Sequence, residues 1–217
     1  MRKILLVGLV VLFLIGCQKS NVSQIPSIPP TTPETQTQVV PPSQDIKVFN
    51  VYQDKNSPDN HFIASGWMGD YKDVSFNDGW MDNPHSGSTC IKITYSNKAS
   101  SGARWAGIYW QEPANNWGNN KGGFNLTGYK KLTLWARADK GGERIEEFKA
   151  GGISGEFSDS DIAGIGPVVL EKEWRMFEIN LEGKDLSRII GGFCWSTNLD
   201  VNPEGATFYL DDIRYVK

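Results

Sequence analysis

Between Trp105 and Gly118 the chain reads WAGIYWQEPANNWG, so three tryptophans, a tyrosine, a glutamate and two asparagines fall within fourteen residues. Aromatic faces stack on the axial C–H patch of a pyranose ring, and planar amides, carboxylates and cations bridge its neighbouring hydroxyls. Trp105, Tyr109, Trp117, Trp135 and Trp195 could supply the first function. Glu112, Asn115, Arg137, Glu147 and Lys149 could supply the second. Each aromatic has core packing as its plain alternative, and Arg137 with Glu147 could be a surface ion pair of little energetic value.

A second group is acidic. Asp211 and Asp212 are adjacent in FYLDDIRY, an otherwise apolar closing segment. Strict alternation in a strand sends one of them inward, where an unpaired carboxylate is too costly to leave charged. A structural calcium ion would answer this with oxygen ligands, and GWMGDYKD offers Asp70 and Asp73 to complete the site. The rival reading is an inward aspartate held by an arginine or by backbone amides, or a bulge that turns both carboxylates outward.

Catalysis finds less support. Glycosidases of sandwich fold place two carboxylates about 5 to 9 Å apart, and Glu112, Glu146, Glu147 and Glu178 could in principle pair. The compact alternating acid motif of jelly-roll glucanases is missing, however. His61 and His85 sit among Asp, Asn and Pro, and HExxH, a nucleophile elbow, GxGxxG and a P-loop are all lacking. No catalytic residue is expected. Cys90 and Cys194 are an even pair in a compartment that would permit a disulfide, although strand-like flanks also suit buried thiols.

The elements that must hold these residues show the two-residue alternation of strands. They are 89–95, 104–110, 131–138, 146–153, 174–181, 189–196 and 206–215, separated by Gly, Asn, Asp and Pro clusters. Only DKGGERIEEFK suggests a helical turn. Seven or more short strands predict an all-β, antiparallel sandwich or jelly roll. Alternation directs Leu132, Leu134 and Ala136 inward, with Thr133, Trp135 and Arg137 outward. Likewise Phe148 and Ala150 oppose Glu147 and Lys149, and Phe177, Ile179 and Leu181 oppose Met176, Glu178 and Asn180. In RWAGIYW it places Ala106, Ile108 and Trp110 in the core and Trp105, Gly107 and Tyr109 on the polar face. Aromatic and polar candidates thus coincide on one expected face.

The N-terminus, MRKILLVGLVVLFLIGCQKS, joins a basic pair to an apolar run too short to span a bilayer, which predicts a signal segment over 1–17. Leu14-Ile15-Gly16-Cys17 resembles a bacterial lipobox, making Cys17 the expected lipidation site. Gln18 leans towards an outer-membrane destination if the source has two membranes. Residues 18–45 contain Pro26, Pro29, Pro30, Pro33, Pro41 and Pro42, six of the eleven prolines in the chain. That composition predicts a disordered tether. Residues 46–217 then form one domain. With 22 basic against 25 acidic residues, nucleic acid is not an expected partner and polyanions are poor ones.

FYLDDIRY and KLTLWARADKGG together resemble the closing and mid-domain strands of galactose-binding-like jelly rolls, especially the carbohydrate-binding modules attached to bacterial glycanases. The resemblance covers most of 60–217 in order. It implies a sandwich whose concave sheet binds glycan, often with structural calcium, but no accompanying catalytic domain is seen. The expectation is a monomeric, non-catalytic polysaccharide- or oligosaccharide-binding domain tethered to the cell envelope through a lipid anchor in the membrane. A structural or protein-binding envelope lipoprotein is the alternative class, and a glycoside hydrolase or polysaccharide lyase a further one.

Overall fold

The computed structural model describes residues 47–217. The signal segment 1–17 with Cys17 and the linker 18–45 lie outside the described residues. Thirteen strands follow in order: β1 (Val48–Tyr52), β2 (Ile63–Gly69), β3 (Val74–Trp80), β4 (Cys90–Tyr95), β5 (Trp105–Gln111), β6 (Lys131–Ala138), β7 (Arg144–Ile145), β8 (Glu147–Gly151), β9 (Ile162–Ile165), β10 (Val168–Val169), β11 (Arg175–Asn180), β12 (Gly191–Asn198) and β13 (Ala206–Val216). All seven expected strands are present. The suspected helical turn is instead a turn leading into β7.

The strands form an antiparallel sandwich. One sheet runs β11-β6-β13-β4-β3, with β1 pairing the C-terminal part of β13; the other runs β2-β5-β12-β8-β9, and β7 and β10 make a small ribbon. Alternating apolar residues of the two sheets meet between them. Leu132, Leu134 and Ala136 of β6, Phe148 of β8, Phe193 and Trp195 of β12, and Phe208 and Leu210 of β13 are all fully buried in one core. Burial of each large side chain contributes about 1.5–3 kcal/mol. Trp110 joins this core as alternation requires, and the fully buried Trp195 does too, which removes it from the stacking candidates.

Alternation breaks once in β13. A bulge between Asp211 and Arg214 inserts one extra residue against β6, and Asp212 adopts φ 47°. Ile213 and Tyr215 then return to the core. The extra residue lets both aspartates avoid the apolar interior. Cys90 and Cys194 are free, buried thiols. They belong to different sheets, each on the side away from the core, so the whole sandwich separates them and a disulfide is geometrically impossible.

Candidate functional site

In a ladder, directly paired residues share one face of the sheet. On the outer side of the five-stranded sheet, register aligns Gly66, Tyr109, Cys194, Lys149 and Gly164 in one row across β2, β5, β12, β8 and β9. The next row is Met68, Gly107, Ser196 and Glu147. Trp105 follows, paired with Asn198. Gly66, Gly107 and Gly164 add no side chains to these rows; Gly164 is exposed, whereas Gly66 and Gly107 are buried beneath neighbouring side chains.

Two indoles rise from this face. Trp105 is 40% exposed and Trp117 38% exposed. Trp117 stands edge-to-face on Tyr109, with ring centroids 5.8 Å apart. Tyr109, which carries Trp117, lies four residues along β5 from Trp105, about 13 Å.

Both are held by buried polar groups. The Asp70 carboxylate accepts from the backbone N–H of Ser101, Ala103 and Arg104 and from the Tyr95 hydroxyl, and Asp73 accepts from Ser100 N–H and Oγ. This staples the loop that delivers Trp105. Asp70 N–H also bonds the Trp105 carbonyl, and at Gly69 (φ +63°) a Cβ would lie 2.1 Å from that oxygen, so only glycine fits. Trp117 rides on a loop organised by buried Asn116, whose side chain bonds Gly118 N–H, Asn120 N–H and the Asn120 carbonyl. Gln111 Nε2 donates to the Asn116 carbonyl, and Phe157 N–H to that of Gly118.

Lys149 Nζ is 2.8 Å from Glu147 Oε2 and 5.3 Å from the Tyr109 ring centre. Burial alone would lower the Lys149 pKa. The hydrogen bond to Glu147 and its neighbours outweigh that and hold it above the ordinary value, so the ammonium stays charged. Burial raises the Tyr109 hydroxyl and the Cys194 thiol, keeping both neutral. The face therefore offers two indoles, one ion pair and several neutral hydrogen-bonding groups.

The structure redistributes the remaining candidates. Tyr109 points outward but is only 4% exposed, covered by Ile153, Phe157 and Trp117; it supports Trp117 and its own face is hidden. Asp159 pins that cover by accepting from the amides of Ile153, Ile190 and Gly191. Asn115 is exposed in the Trp117 loop and donates its N–H to Ser65 Oγ, while Glu112 is half-buried at the loop's start. Arg137 and Trp135 lie on β6, in the other sheet, so the expected shared face with Glu147 is corrected. The two sheets have separate outer faces, and Arg137 and Glu147 form no cross-strand pair.

The four aspartates form two clusters. Asp70 contacts Tyr95, which pairs with Ala206, whereas Asp211 lies five residues further along β13, a separation of about 17 Å. Asp211 Oδ2 accepts from His85 and Ser86 N–H and Oδ1 from Asp212 N–H; Asp212 Oδ2 meets His85 Nδ1 at 2.8 Å. Backbone amides and the bulge answer the buried charge, as the rival reading had it. The proposed calcium ligand set of Asp70, Asp73, Asp211 and Asp212 does not converge. Among the carboxylate candidates, Glu178 lies on the other sheet from Glu146 and Glu147, which adjoin one another. Glu178 is paired with Lys131 on the six-stranded sheet, while Glu146 is paired with Arg144 and Glu147 with Lys149.

Sequence reasoning placed Gly107 outward but missed Gly66, Met68, Gly164 and Ser196 in the outward rows, and the clamps at Gln111, Asn116 and Asp159. Glycines inside strand patterns were a usable signal for these rows.

No protein-family model and no curated protein matches the sequence. Among solved structures, the chain is similar to a family 30 carbohydrate-binding module, with a TM-score of 0.52 at 12% identity, covering 78% of this chain and 98% of that one. The family 30 module of the cellulosomal cellulase Cel9D-Cel44B of Clostridium thermocellum aligns with a TM-score of 0.49 at 12% identity, over 78% and 96% of the two chains. A family 29 module complexed with mannohexaose aligns at 0.44 with 8% identity, over 79% and 92%. At these identities the likeness shows the fold, an antiparallel sandwich of the kind used by carbohydrate-binding modules.

Proposed function

We propose that this chain is a non-catalytic glycan-binding protein that takes a neutral or weakly charged polysaccharide along the outer face of the five-stranded sheet. The observation that carries the reading is the pair of partly exposed indoles, Trp105 and Trp117, held on the same outer side of one sheet, with the Lys149–Glu147 ion pair on that side too. Leaving two indoles half in water forgoes burial of a large apolar surface, which a ligand would restore. Two separate platforms suit a chain of linked sugars better than a single one. Trp105 and Trp117 serve as stacking platforms, and Glu147, Lys149, Glu112 and Asn115 as hydroxyl partners. The likeness in fold to a family 30 carbohydrate-binding module supports the same reading.

The test is retention on soluble and insoluble β-glucans, followed by a glycan array. Trp117→Ala and Trp105→Ala should each weaken binding by about tenfold or more with an unchanged circular dichroism spectrum. Failure of every glycan to bind, or indifference to both substitutions, would return the face to a structural role. Release of cleaved product from bound glycan would make the protein an enzyme. The same proposal has Cys17 lipidated and the domain held outside the cytoplasm at the envelope. Labelled palmitate should enter the wild type and be lost in Cys17→Ala.

A further inference from the structure

The outer face of the six-stranded sheet carries a second constellation. Register aligns Lys92 of β4, Tyr209 of β13 and Arg137 of β6 side by side. Lys92 Nζ sits 3.9 Å above the Trp80 ring centre and 5.6 Å from that of Tyr209. The Arg137 guanidinium carbon is 3.6 Å from the Tyr209 ring centre and 5.2 Å from that of Trp174. Two cations thus alternate with three aromatic rings across adjacent strands.

Neither cation has a carboxylate within salt-bridge distance among the described residues. Arg137 is only 9% exposed, and its Nε has no hydrogen-bond partner. Trp80 Nε1 is a second buried donor without a partner. Of the acids on this side, Asp139 accepts the Tyr209 hydroxyl, Asp211 and Asp212 are engaged by the His85–Ser86 segment, and Asp82 lies close enough to Cys90 to act on its thiol. A largely buried guanidinium without a counter-charge is costly.

We propose that this strip is a second ligand site, specific for a polysaccharide bearing carboxylates, that is, a polyuronate. Two strand spacings part the backbones of Lys92 and Arg137 by about 10 Å, and both cations lean over Tyr209, so a polymer that repeats its charge can meet both. The Arg137 fork takes a carboxylate, Lys92 takes another, and the aromatic edges border the sugar rings. The net charge of −3 disfavours polyanions for the molecule as a whole, and this strip reverses that locally.

Affinity electrophoresis of the full chain through gels containing polygalacturonate or alginate tests the site. Retardation by at least one polymer is expected, weakened about tenfold in Lys92→Gln and in Arg137→Gln and suppressed by high salt. Lys92→Gln should leave β-glucan retention unchanged. Because Arg137 is nearly buried, near-ultraviolet circular dichroism checks that variant's fold, and Lys92→Gln decides independently. No retardation by either polymer, or equal retardation of wild type and Lys92→Gln, overturns the assignment and leaves the strip to a protein partner.

Discussion

Asp211 gives a quantitative handle on the bulge that separates the acid pair from the core. Its carboxyl is driven up from 3.8 to about 6, chiefly by burial and also by the neighbouring charge of Asp212, against the hydrogen bonds from Ser86, Asp212 and His85 amides. With the folded pKa above the unfolded one, the native state binds more protons between pH 4 and 6. Stability therefore falls as pH rises through that window and levels off above it. Two pH units at about 1.4 kcal/mol each set a ceiling of about 3 kcal/mol. Arg214 Nη1 lies 3.8 Å from Asp212 Oδ1 and offsets part of the neighbouring charge, so the expected fall is about half the ceiling, ~1.5 kcal/mol. Urea unfolding of wild type and Asp211→Asn at intervals from pH 4 to 7.5 measures it. The asparagine variant should lack this component of the slope while Asp212 and His85 remain in both proteins. Carboxyls lowered by hydrogen bonding, such as Asp54 and Asp161, act below pH 4 and do not intrude. Asp159 is raised like Asp211 and adds the same sign to both proteins. Equal slopes in the two proteins would refute the account of Asp211 as a desolvated acid.

Phe148→Ala should cost about 3–5 kcal/mol by urea unfolding, because this fully buried ring stacks on Phe193 with centroids 5.8 Å apart; a loss under 1 kcal/mol would mean the core collapses into the space. Melting curves in excess chelator and excess calcium should coincide, since Asp70, Asp73, Asp211 and Asp212 already accept bonds from protein donors; an upward shift in calcium would reveal a site built from other oxygens. Reductant should leave the melting temperature unchanged, because Cys90 and Cys194 face away from each other across the sandwich; a drop would contradict their placement.

Much of the fold was legible because a strand's side chains alternate with a period of two, which no packing partner is needed to reveal. KLTLWARA is β6 to the residue, and its inward set Leu132, Leu134 and Ala136 is fully buried. The opening strands escaped notice because β2, IASGWMG, and β3, VSFNDGW, are edge strands with glycines and half-exposed positions, so neither carries a clean apolar face. For the site, the stretch 105–118 drew attention through composition, and Trp110 separated from Trp105 by parity alone.

Parity tells which side of its own strand a residue occupies, and nothing more. Which sheet that strand joins depends on long-range pairing, so Arg137 and Glu147, both outward, lie on opposite faces of the molecule. Whether an outward residue meets water depends on what folds over it, and the 151–160 segment pinned by Asp159 hides Tyr109 while Trp117 stays open. One inserted residue at Asp212 reverses the parity for the rest of β13, which no local pattern announces, because a bulge is fixed by the register of the neighbouring strand.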